Sequence, residues 1–145
     1  MRVLDLPFTE RKGIRLSESA AYLLQLDAGE NVSNHLGTIH GSALFALAEI
    51  SSGYLLQTNF ADIADQTIPI LRASTVKYRK MGTGTIYSSA AFDHTDVDGI
   101  TAQLLSKLKV LLTISVRLYN QQDELVLTGD FEWFITLRQP LNSHS

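Results

Sequence analysis

The chain has 145 residues, 45% of them hydrophobic and 19% charged, which fits one globular domain with a real core and excludes a disordered chain. A net charge of −3 and a pI near 5.7 argue against a general nucleic-acid binder, which carries a basic surplus. With no cysteine present, disulfides, thiolate nucleophiles and cysteine-based zinc sites are ruled out.

In chain order, "MRVLDLPFTERKG" has neither an apolar core nor a cleavage site, so no secretory signal is expected and the cytoplasm is the expected compartment. Within "LPFTERKGIRL" a short helix is expected to stop at Gly13. "AAYLLQLDAGE" reads as a strand running into a turn at Ala28-Gly29. Residues 42–58 then read as one long helix, apolar nearly all round and therefore buried. The apolar run 36–56 approaches the length of a membrane span, but His40, Glu49, three Ser and three Gly interrupt it, so no span is expected.

After a loop at 63–67, extended chain begins at Pro69 and the period becomes two. In "STVKYRKM", Val76 and Tyr78 alternate with Thr75, Lys77 and Arg79; "GTG" at 82–84 reads as a hairpin into the strand "TIYSSAAF". "TDVDGITAQLLSK" suits a short helix. Two long strands follow: Val110, Leu112, Ile114, Val116 and Leu118 share one face of the first, and Phe131, Trp133 and Ile135 share one face of the second. "YNQQDE" between them suits a hairpin. The expected fold class is α+β, an antiparallel sheet of meander type wrapped around the one apolar helix, as a single domain over 1–138 with a polar tail at 139–145.

One residue does not fit a purely structural helix. Glu49 is the only charge in the apolar run, and an ionised carboxylate in a dry interior costs several kcal/mol unless something compensates it. At the helix start stand His40 and Gly41, with Ser42 a candidate cap. The first turn of a helix presents unpaired N–H groups and a positive dipole end, which suit the oxyanion formed when a carbonyl is attacked. A glycine there leaves the approach open. A glutamate in apolar surroundings has a raised pKa, which suits a general base or nucleophile. The bland alternative is a buried helix whose His40 and Glu49 are satisfied by local hydrogen bonds. Gly41 and Glu49 are eight residues apart, about 12 Å along a helix axis. One reacting carbon needs both groups within about 3–3.5 Å. A single chain therefore does not supply both, and two chains packed head to tail would.

Asn34, Gly37, His40, Gly41 and Glu49 together resemble the signature of hotdog-fold thioesterases, especially the phenylacetate-degradation (PaaI-like) type and its relatives. That pattern is Asn, a few residues, Gly, then His-Gly-Gly opening a helix with an acid nine residues after the His. The resemblance spans about residues 14–138 and implies a hotdog fold and hydrolysis of acyl-CoA or acyl-carrier thioesters. It also implies dimers joined into a longer sheet, often paired into tetramers, and no cofactor. By the same resemblance, the Gly41 N–H polarises the thioester carbonyl, Glu49 activates water or attacks, and Asn34 and His40 shape the site. Thr67 stands eighteen residues beyond Glu49, a spacing at which some relatives carry a hydroxyl that orients water. Ser42 replaces the usual second glycine and is a candidate substrate contact. The segment 93–107 is long for a connection in this fold and is placed to cover the pocket.

Arg72, Lys77, Arg79 and Lys80 form the densest basic cluster. Their functional reading is a landing site for CoA phosphates; their bland reading is a solvated strand edge. No metal is expected, because the four histidines lack ligand spacing and "HTDVDG" lacks the first and twelfth acidic ligands of a calcium loop. No Gly-x-Ser-x-Gly is present to suggest a serine hydrolase. The competing expectation is a non-catalytic hotdog domain that binds an acyl ligand or a protein. A dehydratase of the same fold is disfavoured, since no proline lies near His40 or Gly41.

Overall fold

The computed structural model describes residues 2–138, and the tail expected at 139–145 lies outside them. The first helix, α1 (Pro7–Lys12), has proline in its first turn, where a missing N–H costs nothing, and ends at Gly13 in the left-handed region (φ 73°). A two-residue strand that the pattern did not reveal, β1 (Arg15–Leu16), pairs with β2 (Leu24–Asp27). The central helix α2 is Gly41–Asn59, one residue longer at each end than expected. Then come β3 (Thr67–Tyr78), β4 (Thr85–Phe92), α3 (Val97–Lys107), β5 (Lys109–Tyr119) and β6 (Leu125–Leu137).

The six strands form one antiparallel sheet in the order β1-β2-β4-β5-β6-β3. This corrects the expected four-strand meander. Only β4, β5 and β6 follow one another; β3 lies beyond β6, so residues 82–84 cannot be a hairpin. Alternation in a sequence identifies a strand but not its neighbour. What holds 82–84 is the helix entrance: the Ile39 N–H donates to the Gly82 carbonyl (2.9 Å). A Cβ on Gly82 would lie 3.1 Å from a methyl of Leu44, so glycine permits this close approach.

α2 lies across β2, β4, β5 and part of β6, and buries Leu44, Leu47, Ala48 and Ile50 against Leu26, Ile86, Ile114, Leu127 and Phe131. Its buried hydroxyls are satisfied. The Ser51 hydroxyl donates to the Leu47 carbonyl (2.6 Å) and shares a bond with the Ser88 hydroxyl (2.6 Å), which accepts the Leu24 N–H (3.1 Å). Trp133 Nε1 donates to the Ser52 hydroxyl (3.0 Å).

β3 is different. It pairs with β6 on one side only, with a bulge between Leu71 and Ala73, and none of its 12 residues is buried. Register with β6 puts Leu71, Ser74, Val76 and Tyr78 on the face that carries the helix, opposite Trp133, Phe131, Gly129 and Leu127. Yet α2 leaves them largely uncovered, and Tyr78, beside Gly41 at the start of the helix, is 55% exposed. A long open edge of this kind pairs with another chain unless something blunts it.

Candidate active site

The entrance to α2 is built from a tight loop. The Asn34 side-chain oxygen accepts the N–H groups of Leu36 (2.9 Å) and Thr38 (3.0 Å), and its amide donates to the Thr38 hydroxyl (2.8 Å). Asn34 thus shapes the loop with all its polar atoms. The residue capping α2 is His40, not Ser42: extended backbone at His40 (φ −61°, ψ 139°) lets its ring Nδ1 accept the Ser42 N–H (3.0 Å), with the Ser42 hydroxyl 2.8 Å from the same nitrogen. Ser42 cannot cap because it already lies inside the helix. The Gly41 N–H is left without an acceptor among the described residues, as expected for the first helical position.

Gly41 opens onto a cleft of about 360 Å³ lined by Asn34, Tyr78, Arg79 and Lys80. A Cβ on Gly41 would stand 3.5 Å from the Tyr78 ring, an ordinary contact. Tyr78 was not singled out from the sequence; the alternation in β3 and the need for a wall beside Gly41 were the available signals.

Half-burial along α2 recurs at every fourth residue: Gly41, Phe45, Glu49, Gly53 and Gln57. This stripe faces β6 and the open face of β3. Phe45 packs on Phe131 (5.7 Å between ring centres), and Gly53 lies against Trp133. Gly41 and Glu49 thus share one stripe, two turns apart. Burial pushes the Glu49 carboxyl above its ordinary pKa, and its side chain makes no hydrogen bond or ion pair among the described residues. The bland alternative, local hydrogen bonds holding Glu49, is not found among the described residues.

The remaining candidates are dispersed. Thr67 opens β3, donates its hydroxyl to the Ala64 carbonyl (3.0 Å) and lines a different cavity, at the far end of α2. Arg72 sits at the β3 bulge over the Phe134 ring (5.8 Å). Lys77 and Arg79 lie on the outer sheet face beside Arg117, a cation the sequence reading did not include because it belongs to a different strand. Lys80 forms an ion pair with Glu124. The linear basic cluster is therefore split, with Arg79 bridging the outer face and the Gly41 cleft.

Residues 12–135, most of the chain, match the domain of unknown function DUF4442. The chain belongs to the DUF4442 family. Among solved structures, this DUF4442 chain is similar to a Pseudomonas aeruginosa protein of unknown function described as a probable thioesterase, at 23% identity over 94% of this chain and 91% of that one (TM-score 0.80). It is also similar to a Haemophilus influenzae thioesterase (9% identity, 97% and 90% covered, TM-score 0.73). A third is a Bacillus halodurans protein crystallised with CoA (18% identity, 86% and 72% covered, TM-score 0.66). No curated protein matches the chain. At these identities the likeness establishes the fold, and the fold of this DUF4442 chain is the hotdog fold of thioesterase-type proteins.

Proposed function

We propose that this DUF4442 chain hydrolyses acyl-CoA or acyl-carrier thioesters as a homodimer with shared sites. The observation that carries the reading is an unpartnered Glu49 with a raised pKa, on the same open stripe as the free Gly41 N–H. The supporting context is thioesterase-type structural neighbours, one of them holding CoA.

Within one chain the two groups are about 12 Å apart. Phe45 is midway between them and packs on Phe131, which registers with Ser74 on the free edge of β3. A two-fold axis at that level pairs β3 with the partner's β3 into one continuous sheet. It also brings Glu49 of one chain opposite the partner's Gly41. In such a site Glu49 takes a proton from water, and the hydroxide attacks the thioester carbon. The partner's Gly41 N–H stabilises the oxyanion; then the C–S bond breaks and Glu49 returns the proton to the departing thiolate. Asn34 and His40 hold the helix entrance in shape. Thr67 serves the far end of the pocket rather than the Glu49 carboxylate. On the outer sheet face Ile70, Phe134 and Leu111 are adjacent across three strands, and the exposed Ile70 and Leu111 suit pairing of dimers into a tetramer. Among the described residues no helix is long and apolar enough to cross a membrane; the cytoplasm is the compartment proposed.

Thiol release measured over a panel of acyl-CoAs tests the reading. Steady turnover supports it, and binding without turnover replaces it with the non-catalytic domain. Lys77 and Arg79, neighbours on the outer sheet face, are the cations proposed to hold CoA phosphates. Replacing both with Ala should raise KM more than it lowers kcat, because they touch a part remote from the reaction, and added salt should mimic the change. An unchanged KM returns them to the role of a solvated strand.

A further inference from the structure

One turn beyond Glu49, the open stripe reaches a cavity of about 550 Å³ between the C-terminal half of α2, α3 and the β6 end of the sheet. Most of its wall is apolar, from Leu56 and Phe60 of α2, Ile100 and Leu104 of α3, and Trp133 and Ile135 of β6, with Gln57 and Thr67 among the polar lining residues. The enclosure is built from fixed elements. The Val3 N–H donates to the Gln57 side-chain oxygen (2.9 Å), tying the N-terminal arm to α2. The Asp96 carboxylate caps α3 through the Gly99 N–H (2.7 Å), and Ile100 and Leu104 are each only 1% exposed. Its charged lining residues, Asp65 and Arg138, are one of each sign, so the cavity is not an anion site.

Gly53 stands between Glu49 and this cavity, and neither backbone nor packing requires a glycine there. Its φ is not in the left-handed region, and a Cβ would meet the Trp133 ring at 3.6 Å, an ordinary contact. Glycine inside a helix is destabilising relative to alanine. What glycine does provide is an unobstructed way past the Trp133 face, about 6 Å along the axis from Glu49.

We infer that this cavity is the acyl pocket and takes a long aliphatic chain, entering over Gly53 with the thioester carbon left at Glu49. The inference rests on the thioesterase reading for where the thioester sits. The pocket is a feature of size and apolarity that suits a ligand tail. A short acyl group would end near Gly53 and leave the space beyond it unfilled.

S-ethyl, S-hexyl and S-dodecyl pantetheine thioethers, titrated by calorimetry, test the pocket without hydrolysis. Each buried methylene should tighten binding about threefold to fourfold, so burying even about four of those that separate dodecyl from ethyl gives about a hundredfold. Gly53→Leu should remove most of that gain. Gly53→Ala should remove less of it while raising the melting temperature, since only the passage and not the fold needs glycine. A flat series overturns the inference, as does a folded Gly53→Leu protein that keeps the full dodecyl affinity. Should Gly53→Leu fail to fold, Gly53→Ala decides: an unchanged ethyl-to-dodecyl ratio overturns the pocket. A chain that binds the dodecyl probe through Gly53 yet releases no thiol from acyl-CoAs loses the hydrolase reading and keeps the pocket.

Discussion

Glu49→Gln is expected to lower kcat by at least about a hundredfold, the lower end for losing a general base, while the protein folds and dimerises as before. The amide keeps the shape and can neither take a proton nor attack. Stability should move the other way. Burial holds the Glu49 pKa above the ordinary 4.5, so the folded chain keeps a proton that the unfolded chain has released. The stabilisation this gives is complete below 4.5 and is lost as pH rises through the raised folded value. Above that raised value the wild-type protein carries a half-buried charge without a partner among the described residues, and the variant does not. Melting temperature against pH should show the variant gaining on wild type above that window and not below it. The same pKa should set the acid limb of the wild-type rate profile, above the ordinary glutamate range. A stable variant with full activity removes Glu49 from the chemistry.

Gly41→Pro is expected to cost about a hundred- to a thousandfold in kcat, the usual effect of removing one oxyanion donor. The substitution is unusually clean here. Gly41 is the first residue of α2, where proline is tolerated, and its N–H has no acceptor to lose. His40 before it is extended (ψ 139°), as a residue preceding proline must be. Gly41→Ala is the control: it keeps the N–H, and its Cβ stands 3.5 Å from Tyr78, so most activity should survive. Equal turnover in the proline and alanine variants would show that the N–H does not act.

The central helix, the five longer strands and Glu49 were legible in the sequence because each depends on local pattern, whereas two residues of β1 are too few to show one. The bounds of β4 and α3 follow from alternation, a capping Asp96 and helical periodicity. The position of β3 did not follow, because its pairing with β6 is set by partners 49 to 70 residues apart, from Tyr78 with Leu127 to Thr67 with Leu137. The cap was misassigned to Ser42 since both His40 and Ser42 carry acceptors, and only the backbone turn decides which lies outside the helix. Gly53 was overlooked for a related reason: a helix apolar nearly all round has no contrast to mark the face on which 41, 45, 49 and 53 align. That face became visible only when β3 was found uncovered beside it.

The central claim is that each site takes its glutamate from one chain and its oxyanion donor from the other, and mixed dimers test it most directly. Glu49→Gln and Gly41→Pro chains, co-expressed with different tags, should each be nearly inactive alone. In a hybrid dimer one site receives both defects and the other receives none. With random pairing half the dimers are hybrids, so the mixture should recover about a quarter of wild-type activity, all of it in the doubly tagged fraction. Activity no higher than the mean of the two parents, in hybrids shown to form, would contradict the shared site.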